Sequence, residues 1–240
     1  MSDNDWARPE LLAETDWLAE HRNDSDLVLV DCDLLPAYQR LHIPGAVWSR
    51  SRYWKAADAD HPGLEGGVYA ISDPEQFASI IGSLGISNAS RVVAYDGSGG
   101  LYAERFWWIC RRFGFDGVQV LHGGLDKWVA EGRPLASDNV RPAAATFQAT
   151  APDESTVCRL EDVTRDCESG EHVFWDVRSD GEWAGHNARG TKHGGRVPNA
   201  MHLEWQETLE RPVRTLKSPA ALRQLLAEQG ITPEKTVTTY

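Results

Sequence analysis

Three groups of residues in this chain could carry chemistry. The first is the four cysteines, Cys32, Cys110, Cys158 and Cys167, whose thiolates would be nucleophiles or metal ligands. No two form a C-x-x-C pair and their spacing fits no metal site, so free thiols are expected, with Cys110 in the apolar run FWWIC buried. The second is DGSGG, Asp96 to Gly100, where Gly97, Gly99 and Gly100 could let backbone N–H groups cradle an anion. No GK[ST] follows, so a nucleotide-phosphate loop is not indicated, and a structural turn is the competing reading. The third is HNARGTKHGG, which gathers Arg189, Lys192 and His193 in an otherwise acidic chain. Such a local set of donors could hold an anion; a solvated loop is the alternative.

Composition bounds what these groups could serve. The chain has 240 residues, enough for two ordinary domains or one large one, and is 41% hydrophobic and 25% charged. Its net charge of −12, from 36 acidic and 24 basic residues, argues against nucleic acid as the main partner, because phosphate binding wants a basic face. No apolar run approaches the roughly 20 residues that span a membrane. The N-terminus, MSDNDWARPE, lacks the basic and apolar regions of a signal peptide, so a cytoplasmic protein is expected.

The elements that would position these residues are organised by an internal repeat. Gly85 to Tyr95 aligns without gaps to Gly230 to Tyr240, and Asp31 in LVLVDCD and Asp176 in HVFWDVRS stand at that same offset. Between these anchors HIPGA (His42 to Ala46) corresponds to RVPNA (Arg196 to Ala200). Each copy reads as a short apolar strand ending in Asp, a variable loop, an x-[IV]-P-x-A turn, a helix, a Gly-Ile turn and a second strand ending in Tyr. PEQFASIIGSLG and SPAALRQLLAEQG have apolar residues at helical spacing, a Ser-Asp-Pro or Ser-Pro start and a Gly stop. Strands alternating with such helices predict an α/β fold, a parallel sheet covered on both faces. The expected division is a first domain over 1–137, a linker over 138–154 and a second domain over 155–240. After Tyr95 the first copy runs on through a Gly-rich turn, an apolar helix, the strand VQVL and a last helix. The second copy stops at Tyr240, so the expectation is that its sheet is incomplete here.

At this point the motifs become specific. LVLVDCD, HIPGA, GSLGISNASRVVAYDGSGGLYAERFWW and VQVLHGGLDKWVAEGRPL resemble the N-terminal half of a tandem-domain rhodanese. VFWDVRSDGEW, GGRVPNAMHLEW and GITPEKTVTTY resemble the first two-thirds of the C-terminal half. The resemblance covers roughly residues 10 to 240. It implies a thiosulfate or 3-mercaptopyruvate sulfurtransferase built from two tandem rhodanese-like domains, the first silent, the second carrying a cysteine directly after Tyr240. That cysteine would attack a sulfane sulfur, become a persulfide, and pass the sulfur to cyanide or a dithiol. The partners implied are a small anionic sulfur donor and a thiol or cyanide acceptor, with no metal or other cofactor. An interdomain cleft would let a monomer suffice.

Carried over residue by residue, the resemblance makes Asp96 a silent pseudo-site, since a carboxylate cannot form a persulfide. Arg178, two residues past Asp176, would sit at the sheet edge where the active-site loop belongs, bonding loop carbonyls or an anion; a structural pair with Asp176 is the competing role. Arg189 matches an arginine that binds substrate carboxylate in mercaptopyruvate-type relatives. Trp205 resembles an active-site aromatic, and Tyr102 a tyrosine that reaches the cleft; core or interface packing is the alternative for both. His42 and His193 are read as turn or surface histidines, because an ionised thiolate needs no base. Two departures stand out: neither turn carries the full GHIPGA motif, and Glu182 replaces a substrate-binding arginine, where its charge would repel a dianion; this weakens mercaptopyruvate specificity and shifts the expectation towards a thiosulfate-type or an unassigned sulfane donor. Two other function classes remain: a non-catalytic sulfur-carrier or regulatory binding module, and an arsenate reductase or phosphatase of the same superfamily.

Overall fold

Short apolar runs ending in Asp or Tyr become strands, and the helices between them cross over so that neighbouring strands lie parallel. The computed structural model describes residues 6–49, 73–167, 172–190 and 192–240. The chain forms two compact units, one of Arg8–Glu154 with Pro212–Thr215, the other of Met1–Ala7, Ser155–Arg211 and Leu216–Tyr240.

The first unit runs β1 (Leu12–Ala13), α1 (Thr15–His21), β2 (Leu27–Asp31), α2 (Leu35–Arg40), β3 (Val47–Trp48), α3 (Pro74–Ser83), β4 (Arg91–Tyr95), α4 (Ala103–Arg112), β5 (Val118–Leu121) and α5 (Gly124–Ala130). The strands form one sheet in the order β1-β5-β4-β2-β3, every pair parallel. Strand side chains alternate between faces. Val30, Val92, Ala94 and Val118 face one core with Phe77 and Ile81 of α3 and Phe106 and Ile109 of α4. Leu29, Val93, Tyr95 and Leu121 face another with Leu18 of α1 and Trp128 of α5. The expected sheet with both faces covered is present, and Cys110 is fully buried in the first core.

The stretch 138–154 has no helix or strand until a 3₁₀ turn begins at Glu154. It nevertheless groups with the first unit. Ala145 N–H donates to Gly82 O at 2.9 Å, Asp153 N–H to Arg112 O at 2.8 Å, and Phe147 is buried edge-on against Phe77 and Phe115. Composition suggested a linker because Ala and Pro form no regular element, but one buried Phe suffices to fasten such a strap to a core.

The second unit contains α6 (Leu160–Asp166), β6 (His172–Asp176), α7 (Asp180–Trp183), β7 (Met201–His202), the two-stranded ribbon of β8 (Leu209–Glu210) and β9 (Thr215–Leu216), α8 (Pro219–Glu228) and β10 (Thr236–Thr239). Its three-stranded sheet has the order β10-β6-β7 and is parallel throughout. TVTT is therefore a strand, as its alternation predicted.

The sequence repeat recurs as hydrogen bonds. Ile86 N–H reaches back to Ile81 O and Ile231 N–H to Leu226 O, each closing a helix past a left-handed glycine, Gly85 or Gly230. α3 and α8 both start on a side-chain cap, Asp73 accepting from Glu75 N–H and Ser218 from Ala221 N–H, each followed by Pro. Ser72 of the expected Ser-Asp-Pro start lies outside the described residues. Cys32 N–H donates to Tyr95 O and Val177 N–H to Tyr240 O. In both copies the tyrosine hydroxyl then accepts from the turn: Ile43 N–H to Tyr95 and Val197 N–H to Tyr240, each at 3.0 Å. Tyr95 is fully buried, so Tyr95→Phe strands the Ile43 N–H and should cost about 1–2 kcal/mol in a urea unfolding titration. An unchanged midpoint would show that the turn finds another acceptor.

Candidate active site

A parallel sheet collects the carboxyl ends of its strands along one edge, and the loops leaving that edge place polar groups together. In the first unit β2 and β4 end opposite each other, Asp31 beside Tyr95, and the next residues supply the polar groups. Asp96, only 1% exposed, turns its carboxylate into its own loop. Oδ1 accepts from Ser98 N–H at 2.8 Å and Gly100 N–H at 2.9 Å, and Oδ2 from Tyr102 N–H at 2.8 Å and Ala103 N–H at 2.9 Å. Four backbone donors, ending at the first turn of α4, thus converge on one anion. The loop closes tightly because Gly124 lacks a side chain: a Cβ there would lie 2.3 Å from Asp96 O.

Asp33 holds the same loop from the other side, Oδ2 accepting from Gly97 N–H at 2.6 Å and Oδ1 from the Ser98 hydroxyl at 3.4 Å. Asp31 lies beneath, fully buried, its Oδ1 taking the Asp33 N–H at 2.8 Å. Its buried Oδ2 has no hydrogen bond of normal geometry. Burial, reinforced by the Asp33 and Asp96 carboxylates and only partly offset by the Asp33 N–H and the Tyr95 hydroxyl, pushes Asp31 up to about 7.

The second unit uses the same strand ends with opposite charge. Asp176 is fully buried and accepts the Arg178 N–H at 3.0 Å and Arg178 Nε at 2.9 Å on Oδ1, with Arg178 Nη2 on Oδ2. Burial would raise this carboxyl, but the arginine fork, the N–H and the Tyr240 hydroxyl outweigh it and hold Asp176 below the usual range. Arg178 Nη2 also donates to Gly195 O at 2.8 Å, and the guanidinium lies 5.1 Å above the Tyr240 ring centroid. The Asp176–Arg178 pair is therefore present, and it leaves Arg178 at the strand end beside Tyr240.

Glu182 is buried and caps α7, its Oε2 accepting from the Ser179 hydroxyl at 2.7 Å, while Oε1 pairs with Arg189 Nε at 2.9 Å. Ser179 and Arg189 overcome the cost of burial and hold this carboxyl low. The charge expected to repel a dianion is committed to a helix cap and an arginine. Arg189 itself is 72% exposed and sits at φ +46°, with Asn187 Oδ1 accepting its N–H. Lys192 and His193 are exposed. Trp205 is half-buried and opens a 3₁₀ turn, its N–H on Val177 O at 3.0 Å. Arg178, Asp176, Trp205 and, through Glu182, Arg189 are thus all attached to the loop leaving β6. Tyr102 belongs to the first unit, half-buried against the α3–α4 core. His42 is a buried turn residue stacked on Tyr38.

Cys32 and Cys110 are fully buried, and burial pushes Cys110 well up and Cys158 up. Sequence reasoning missed Asp33, and it read Asp96 only as a missing nucleophile. The available signals were an aspartate followed by glycines one, three and four residues later, and the position of Asp33 at the repeat offset from Arg178.

Residues 14–131 match the rhodanese-like domain. Over 237 aligned residues the chain is 32% identical to the thiosulfate sulfurtransferase of Azotobacter vinelandii, covering 99% of this chain and 84% of that protein. It is equally 32% identical, over 250 residues, to the sulfur carrier protein TtuD of Thermus thermophilus, covering 98% and 83%. Its structure is similar to that of SseA from Escherichia coli, described among 3-mercaptopyruvate sulfotransferases, with a TM-score of 0.78 at 24% identity over 95% of this chain and 87% of that one.

Proposed function

Because the chain belongs to the rhodanese family of sulfurtransferases, we propose that it moves a sulfane sulfur from thiosulfate, or from 3-mercaptopyruvate, through a cysteine persulfide to an acceptor such as cyanide or a dithiol. The working parts are two tandem rhodanese-like domains, 1–137 and 155–240, acting in the cytoplasm. The first is silent, and the second carries the nucleophile on the residue directly after Tyr240.

The observation that carries this reading is the cradle of four N–H groups around Asp96. A loop that gathers four donors on one anion at the end of a strand is what a thiolate or persulfide needs to be stable at neutral pH. The hydrogen bonds shared by Tyr95 and Tyr240 support taking the residue after Tyr240 as the counterpart of Asp96. With cysteine there, its thiolate attacks the outer sulfur of thiosulfate, an S–S bond forms, and sulfite leaves with the electron pair of the broken bond. Cyanide then takes the outer sulfur as thiocyanate and the thiolate is restored, with no external oxidant or reductant.

Arg189, exposed and held on one side by Glu182, is the candidate contact for the donor's anionic end. Arg189→Ala should raise KM for either donor about fivefold and leave kcat unchanged, the signature of lost uniform binding. Steady-state kinetics with both donors would check this, and an unchanged KM would return Arg189 to a solvated loop charge.

The function itself is tested with protein that includes the residues following Tyr240, given each donor with cyanide. Thiocyanate formation, with a gain of one sulfur atom in mass on the residue after Tyr240, supports the reading; no thiocyanate from either donor overturns it. The similarity to a sulfur carrier protein favours a second reading, a carrier or regulatory module. Persulfide that forms but passes only to a protein thiol would select it.

A further inference from the structure

Residue 33 in the first unit and residue 178 in the second occupy the same place. Each lies two residues past a strand-end aspartate and donates its N–H to that aspartate, Asp33 to Asp31 at 2.8 Å and Arg178 to Asp176 at 3.0 Å. Each follows a residue whose N–H is bonded to the carbonyl of the strand-end tyrosine. The charge at this matched place is reversed.

Asp33 shows what a side chain here touches. Its carboxylate reaches the loop beyond the tyrosine, taking Gly97 N–H at 2.6 Å and the Ser98 hydroxyl. With Asp31 and Asp96 it makes the mouth of the first unit's cradle a cluster of three carboxylates, one of them buried on an oxygen without a normal hydrogen bond. In the second unit the corresponding place holds a guanidinium against Asp176, Gly195 O and the Tyr240 ring. An anion approaching the first cradle meets the Asp33 carboxylate, on a loop whose Gly97 O also accepts from Arg214 Nη2 at 2.9 Å; at the matched place of the second unit stands an arginine.

We propose that the charge at this matched position decides which unit admits an anionic sulfur donor, so that Asp33 closes the first unit to anions independently of its lack of a nucleophile. The first unit is then silent twice over, and a cysteine in place of Asp96 would not by itself make it a sulfurtransferase. The proposal rests on the functional reading only in taking the donor to be an anion.

The test installs a thiol with Asp96→Cys in the full chain and measures its alkylation by neutral iodoacetamide and by anionic iodoacetate, followed by peptide mass spectrometry. The ratio of the two rates cancels the ionisation of the thiol and reports the field at the cradle. With Asp33 present iodoacetamide should be strongly preferred. Asp33→Asn, which keeps an acceptor for Gly97 N–H, should lower the preference about tenfold, and Asp33→Arg further. Protection of Cys32 and Cys110 from both reagents shows that each variant is folded. A ratio unmoved by Asp33→Asn overturns the proposal, even if Asp33→Arg fails to fold. Failure of sulfur transfer in the complete protein would overturn the functional reading instead and leave this ratio as it is.

Discussion

Asp96→Ala is expected to lower the stability of the first unit by about 4 kcal/mol, because four backbone N–H groups lose a charged acceptor in a site that water enters poorly. The carboxylate is 1% exposed and accepts from Ser98, Gly100, Tyr102 and Ala103. Two features separate this from ordinary loss of a buried side chain. Asp96→Asn, which keeps one acceptor oxygen, should lose roughly half as much. Added sulfate should restore part of the loss only when Asp33→Asn is combined with Asp96→Ala, since the vacated donors suit a small oxyanion once the neighbouring carboxylate is gone, and should leave the parent protein unaffected. Urea titrations with and without sulfate measure both effects. An alanine variant as stable as the parent would mean that the four N–H groups find other partners.

Asp31→Asn is expected to act in the opposite direction, by a gain that grows as pH rises from about 4 to about 7 and is complete above it. The Asp31 carboxyl is held near 7, against an ordinary value near 3.8, first by burial and then by Asp33 and Asp96. Between those values the folded protein binds a proton that the unfolded chain has released, so this group makes stability fall as pH rises from about 4 to about 7. Above that range the cost of holding the carboxylate buried is fully present. Asparagine keeps the acceptor for Asp33 N–H and removes the charge, so the variant should be about 3 kcal/mol more stable than the parent at pH 8, with the gain fading towards pH 5. Asp176 provides the contrast, since Arg178 and its N–H hold that carboxyl low. Removing charge there takes away a pairing instead of a burden. Unfolding titrations at pH 5 and pH 8 test the prediction, and equal gains at both would show that packing, not ionisation, is responsible.

Much of the architecture was legible because it depends on neighbours in sequence. The strands LVLVD and HVFWD, the Pro-started helices PEQFASIIGS and PAALRQLLAE and their glycine stops each follow from local pattern, and they appear where that pattern put them. The stretch 138–154 was less legible, since nothing local announces that Phe147 finds a pocket beside Phe77 and Phe115. Among site residues, the place of Arg178 at the strand end could be read from the Asp-x-Arg spacing, whereas the commitment of Glu182 to Ser179 and Arg189 could not. Seen as a sequence, Glu182 is a negative charge near a substrate; seen folded, it is the cap of α7, already neutralised.

By itself, the sequence determined that this protein is an α/β chain with an internal repeat, that both copies carry a strand-end aspartate and a strand-end tyrosine, and that Asp96 follows the tyrosine of the first copy. Only the tertiary structure decided what those residues do. Convergence of N–H groups from Ser98, Gly100, Tyr102 and Ala103 on one carboxylate is a property of a loop's path through space, and no single residue type announces it. The opposed charges at 33 and 178 acquire meaning for the same reason. Electrostatic effect depends on distance and burial, and a chain has neither until it folds.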